Sequence, residues 1–213
     1  MAVIRTLAAR TTARLIASFA RLTTGVYGDW RGCQPALNQR VYFANHTSHG
    51  DFVLIWTVLS GRARRQTRPV AAADYWNVAG LRRFIGAHVF NALLIDRRAG
   101  GGVALSAMTD ALERGDSLII FPEGTRNTGG APLLPLRSGI HHLARARPSA
   151  EFVPVWIDNI SRVMPKGELL PVPLLCSVIF GQPISAAPDE PREAFLRRAR
   201  ESLLQLKPGE GPP

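Results

Sequence analysis

Between Val41 and Phe180 the chain carries six short apolar runs, Val41–Ala44, Pro69–Ala73, Val89–Ile95, Ser117–Phe121, Phe152–Ile157 and Leu174–Phe180. Each is too short for a buried helix and long enough for a buried strand. Between and after them lie segments of helical period, clearest at Phe52–Leu59, Val103–Arg114, Ile140–Arg147 and Arg192–Leu206, with glycines such as Gly115 where helices should stop. This alternation predicts an α/β fold, a sheet covered by helices on its faces with functional loops at the strand ends. A chain of 213 residues, 46% hydrophobic, supplies one core and not two full-sized ones. There is no internal repeat, and Pro208–Pro213 reads as a disordered tail.

The formal charge is +10, nearly all from arginine, since Lys166 and Lys207 are the only lysines. Such an excess favours a polyanionic partner: nucleic acid, an anionic membrane surface, or an acidic substrate. Neither a nucleic-acid motif nor interleaved basic and aromatic residues are present, so no nucleic-acid partner is expected. Cys33 and Cys176 stand far apart, which suits a reducing compartment and not a disulfide scaffold. From Met1 to Gly25 there is no acidic residue, while Ile4, Leu7, Leu15, Phe19, Leu22 and Val26 recur at helical spacing with Arg10, Arg14 and Arg21 on one flank. Residues 1–28 therefore read as an amphipathic membrane-association segment; a helix packed on the protein's own core and a transit peptide are the alternatives. No stretch reaches the roughly 18 to 20 apolar residues of a spanning helix. The longest candidate, Phe52–Gly61, lies between Asp51 and Arg62. At a membrane, such a chain is expected on the surface.

Two polar clusters stand at strand ends. Asn45-His46-Thr47-Ser48-His49-Gly50-Asp51 follows the first strand. On one continuous helix His46 and Asp51 would point about 140° apart, so a contact between them needs a turn, which Thr47, Ser48 and Gly50 are suited to make. A histidine held by a carboxylate keeps one tautomer and is stabilised when protonated, which suits a general base. Two other readings stay open: His46, His49 and Asp51 as metal ligands of a hydrolase, and a cluster that merely caps the next helix. The second cluster, Phe121-Pro122-Glu123-Gly124-Thr125-Arg126, combines a glycine turn with an arginine able to clamp a phosphate, and Asp96-Arg97-Arg98 ends a further strand. Gly100-Gly101-Gly102 lacks the lysine and hydroxyl residue of a phosphate-binding loop.

These strings resemble the glycerolipid acyltransferases of the lysophosphatidate (1-acylglycerol-3-phosphate) acyltransferase type. NHTSHGD is similar to the family's Asn-His-x4-Asp block and FPEGTR to its second signature, with Leu94-Ile95-Asp96-Arg97 between them and Phe152-Val153-Pro154-Val155 after. The resemblance implies an acyltransferase domain over residues 29–207, a single-domain mixed sheet flanked by helices. It implies an O-acyltransferase that moves a fatty acyl chain directly from acyl coenzyme A or acyl carrier protein to the hydroxyl of a lysophospholipid. 1-Acyl-sn-glycerol 3-phosphate comes first as acceptor, with lyso-ornithine lipid or lysophosphatidylethanolamine as alternatives. His46 would be the base and Asp51 its partner; Arg97, Glu123, Gly124, Thr125, Arg126 and Arg137 would bind the acceptor; no metal or other cofactor is implied. The cytoplasmic face of a bacterial inner membrane is the expected location. The chain departs from the family pattern at Asp74-Tyr75-Trp76, where a lysine-bearing stretch is common, and at Leu136-Arg137-Ser138-Gly139, where arginine replaces lysine.

Overall fold

The computed structural model describes residues 2–76, 80–158 and 175–209. They form a seven-stranded sheet in the order β1-β7-β6-β2-β5-β3-β4, made of β1 Tyr27–Trp30, β2 Arg40–Ala44, β3 Thr67–Ala72, β4 Leu93–Ile95, β5 Ser117–Ile120, β6 Glu151–Asp158 and β7 Ser177–Phe180. The strands from β6 to β4 are mutually parallel, and β7 runs antiparallel to β6 with β1 parallel to β7. The sheet is thus mixed, as expected.

Alternation along the strands divides the interior. Val41, Phe43, Leu118, Ile120, Phe152 and Trp156 pack on one face against α6 (Gly101–Glu113), α7 (Gly139–Ala146) and α8 (Arg192–Leu204). Tyr42, Ala44, Ile119, Val153, Val155 and Ile157 pack on the other, which is covered by α1 (Ala2–Thr24), α2 (Asp51–Val58) and the π-helical turn Ile85–Val89. Three short helices, α3 (Gly61–Gln66), α4 (Ala73–Trp76) and α5 (Leu81–Phe84), complete the connections.

Some expectations shift. Strand β4 is shorter than the run Val89–Ile95, because Phe90 turns away to meet Phe52 and Trp56, at centroid distances of 4.9 and 5.0 Å, and Asn91 adopts a φ of +50°. Asparagine tolerates that left-handed conformation, which a strand does not contain. Strand β1 had no apolar run to reveal it. Val26, placed on the stripe of the first helix, is buried: the helix ends at Gly25 (φ +55°), and Val26 enters the core. The sequence-predicted strand start at Leu174 and the tail from Glu210 to Pro213 lie outside the described residues.

Helix α1 has an unusual polarity. Its inward face is built from small residues, Ala9, Ala17, Ala20 and Thr24, whereas Ile4, Leu7, Leu15, Phe19 and Leu22 are each at least 65% exposed. Arg21 ties it to α2, its Nη2 donating to the Thr57 carbonyl (2.8 Å), and Arg64 caps the same helix end through Trp56, Thr57 and Leu59. No described helix is long and apolar enough to cross a membrane.

Candidate active site

Strands β2 and β5 are neighbours and parallel, so the two polar clusters that follow them emerge side by side at the carboxyl edge of the sheet. Asn45 is the first residue past β2. Its Oδ1 accepts from the Ile157 amide (2.7 Å) and its Nδ2 donates to the Ile157 carbonyl (3.0 Å), so a side chain extends the β2–β6 ladder by one more rung. The chain then turns through Thr47–Gly50 into α2, whose first residue is Asp51.

That turn brings His46 and Asp51 together. Asp51 is fully buried, and its Oδ2 receives His46 Nδ1 (2.8 Å), the Thr47 amide (2.7 Å) and the Ser48 amide (2.9 Å). Because the carboxylate oxygen already takes two backbone donors, the consistent tautomer carries the imidazole hydrogen on Nδ1 and the lone pair on Nε2. No described residue bonds Nε2. The ring lies on Phe121, with centroids 4.2 Å apart and planes within 19°.

The cluster after β5 reaches back to the same histidine. Glu123 is 3% exposed; its Oε1 accepts the His46 amide (2.7 Å) and its Oε2 the Leu134 amide (2.8 Å). Burial pushes this carboxyl above the usual range, opposed by those two backbone bonds. The Asn127 amide donates to the His46 carbonyl (2.7 Å). Gly124 takes a φ of +72°, and a Cβ there would lie 2.2 Å from Arg137 Nε, so the absence of a side chain is what lets the Arg137 stem cross the turn. Thr125, Arg126 and Arg137 are exposed. Arg97 opens a 3-10 turn after β4, at the same edge of the sheet; its side chain lies outside the described atoms.

Two other neighbours matter. Tyr75, in the stretch that departs from the family pattern, stacks on His49 (5.2 Å) beneath the Arg82 guanidinium (5.0 Å). Cys176 is buried, and burial, reinforced by Asp158 and Asp51, pushes its thiol up to about 11. A thiol that weakly acidic stays protonated near neutral pH and is a poor nucleophile. Among the described residues, no three His, Cys, Asp or Glu side chains are placed to hold a metal ion. Sequence reasoning did not single out Asn45 or Asn127 as site residues. The signals were there: an amide ending an apolar strand, and an Asn before Thr-Gly-Gly, whose Oδ1 accepts the Gly129 amide (3.1 Å) in a side-chain-closed turn.

A half-buried histidine bonded to a buried aspartate thus stands at the carboxyl edge of a mostly parallel sheet, beside an arginine-bearing glycine turn. The Acyltransferase family model matches residues 34–158, more than half of the chain, and the protein belongs to that family. It is 28% identical over 203 residues to the 1-acyl-sn-glycerol-3-phosphate acyltransferase alpha of Bos taurus, covering 91% of this chain and 67% of that one. Likeness to the 1-acyl-sn-glycerol-3-phosphate acyltransferase of Limnanthes alba is 27% over 166 residues, covering 76% and 56%. The crystal structure of the 1-acyl-sn-glycerophosphate (LPA) acyltransferase PlsC from Thermotoga maritima shares the fold, with a TM-score of 0.70 at 20% identity over 95% of this chain and 81% of that one.

Proposed function

We propose that this acyltransferase moves a fatty acyl chain from a thioester, acyl coenzyme A or acyl carrier protein, to the free hydroxyl of 1-acyl-sn-glycerol 3-phosphate, forming phosphatidate. The observation that carries the reading is the 2.8 Å His46–Asp51 pair, in which Asp51 holds Nδ1 and leaves Nε2 as the nitrogen for the acceptor hydroxyl. Nε2 takes the proton of the acceptor hydroxyl as its oxygen attacks the thioester carbonyl. The carbon–oxygen bond forms, the carbon–sulfur bond breaks, and the imidazolium returns its proton to the departing thiolate. Asp51 stabilises the imidazolium between these steps and holds its orientation. Gly124, Thr125, Arg126 and Arg137, with Arg97 from the turn after β4, receive the acceptor phosphate.

Acceptors with an amine head group, lysophosphatidylethanolamine or lyso-ornithine lipid, form a second reading. It is favoured by the exposed carboxylate of Asp74, which is suited to a cation. The outward apolar face of α1 with Arg10 and Arg14 suits an anionic bilayer surface, which supports a reading of the enzyme as a peripheral protein, proposed here for the cytoplasmic face of a bacterial inner membrane.

The test is thiol release from palmitoyl coenzyme A or acyl carrier protein across these acceptors, with and without EDTA, beside His46→Ala. The expected outcome is acceptor-dependent release, indifferent to EDTA and lowered about 10² to 10⁴-fold in the variant. Wild-type turnover in His46→Ala would refute the base assignment, and loss of turnover on chelation would favour a metal-dependent hydrolase.

A further inference from the structure

Glu123 stands in the loop that the acceptor is expected to meet, yet its carboxylate faces away from solvent. Both oxygens are occupied by main-chain donors, one from His46 and one from Leu134. The nearest arginine contact bypasses the carboxylate: Arg137 Nε lies 3.4 Å from the main-chain carbonyl of Glu123. From the other end of the same turn, the Asn127 amide holds the His46 carbonyl at 2.7 Å. The peptide groups on both sides of His46 are therefore clamped by residues 123 and 127, while Asp51 holds its ring.

We propose that Glu123 is a positioning residue for His46 and not a ligand of the acceptor, an inference that rests on His46 being the base. The requirement is specific to a carboxylate. Two amides converge on its two ends, and each needs an acceptor. Glutamine offers one oxygen, so its amide group must meet either the His46 or the Leu134 N–H donor to donor, and one bond is lost. Releasing the His46 amide tilts the imidazole relative to its substrate, and a shift of about 1 Å in a reacting group costs up to about 10²-fold in rate. Because Glu123 and Asn127 flank Gly124, Thr125 and Arg126, the turn that offers Arg126 to the acceptor also sets the register of the base.

The experiment is steady-state kinetics of Glu123→Gln in the wild-type and His46→Ala backgrounds. In the wild-type background we expect kcat to fall about 10- to 100-fold, with the acceptor KM within about twofold. With His46 absent there is no base to misplace, so the same change should leave the residual rate within about twofold. A raised acceptor KM with kcat retained, or an equal loss in both backgrounds, overturns the positioning role while leaving the base intact. Full activity of His46→Ala would instead remove the foundation. A second measurement needs no variant at Glu123: in 1H–15N spectra of the wild-type protein, the His46 and Leu134 amides should keep their hydrogen-bonded shifts when acceptor saturates the site. Upfield movement of both would mean that the carboxylate has turned to the ligand, and the inference fails.

Discussion

The loops after β2 and β5 lie side by side at one sheet edge and differ in who satisfies their polar groups. In the first, Asn45 is bonded to β6, and His46 is bonded through its main chain and its Nδ1 to neighbouring residues of the protein. Beyond Glu123 in the second, Thr125, Arg126 and Arg137 stand at the surface. Groups bound internally are already oriented when substrate arrives; groups left open to solvent acquire their strongest partners only from the ligand. The two terminal helices repeat the contrast. Helix α8 buries Phe195, Ala199 and Leu203 and turns arginine and glutamate outward, whereas α1 buries alanine and leaves its leucines and phenylalanine outside.

If the contrast is real, substitutions in the internally bonded group act on kcat, and substitutions in the open group act on binding. The largest effect is expected from Asp51→Asn. An amide nitrogen facing Nδ1 reverses the tautomer, so kcat should drop about 10³ to 10⁴-fold with the acceptor KM nearly unchanged, as measured on the purified variant. A proportional loss in acceptor binding would dissolve the distinction. Next comes the pair Leu15→Ser with Phe19→Ser. Each large side chain that enters lipid gains roughly 1.5 to 3 kcal/mol, so flotation with anionic vesicles should weaken by on the order of 10²-fold while turnover of a detergent-dispersed acceptor persists. Unchanged flotation would mean that the outward face of α1 is not what meets the bilayer. The smallest is Arg126→Ala, expected to raise the KM of phosphate-bearing acceptors about 10-fold with kcat kept within a few-fold. If kcat falls instead, Arg126 belongs with the internally organised group.

Much of this architecture was legible in the chain. The apolar runs located β2, β3, β5, β6 and β7, since a buried parallel strand needs an uninterrupted hydrophobic stretch. Tyr27–Trp30 gave no such signal, because Gly28 and Asp29 interrupt it and its strand character comes from pairing with β7. The π-helical turn was invisible for a similar reason: Val89 and Phe90 are good strand formers, and the chain curls there where Phe90 packs against Trp56 and Phe52. His46 and Asp51 stood out as a pair because the turn that joins them is local. Glu123 stood out as well, but its partners did not, for the His46 amide lies 77 residues away in the chain.

What the amino-acid sequence determined alone was therefore whatever depends on near neighbours: strand and helix periods, the turn from His46 to Asp51, and the presence of an arginine-bearing glycine turn. Tertiary structure decided which group each polar atom meets. Laying β5 and β6 on either side of β2 put Glu123 on the His46 amide and Asn45 on Ile157. Packing α1 through its alanines turned its larger side chains outward. Helical period places a stripe on one face but does not say which face the sheet will cover, because that depends on how closely two elements approach, and only small residues permit the approach seen here.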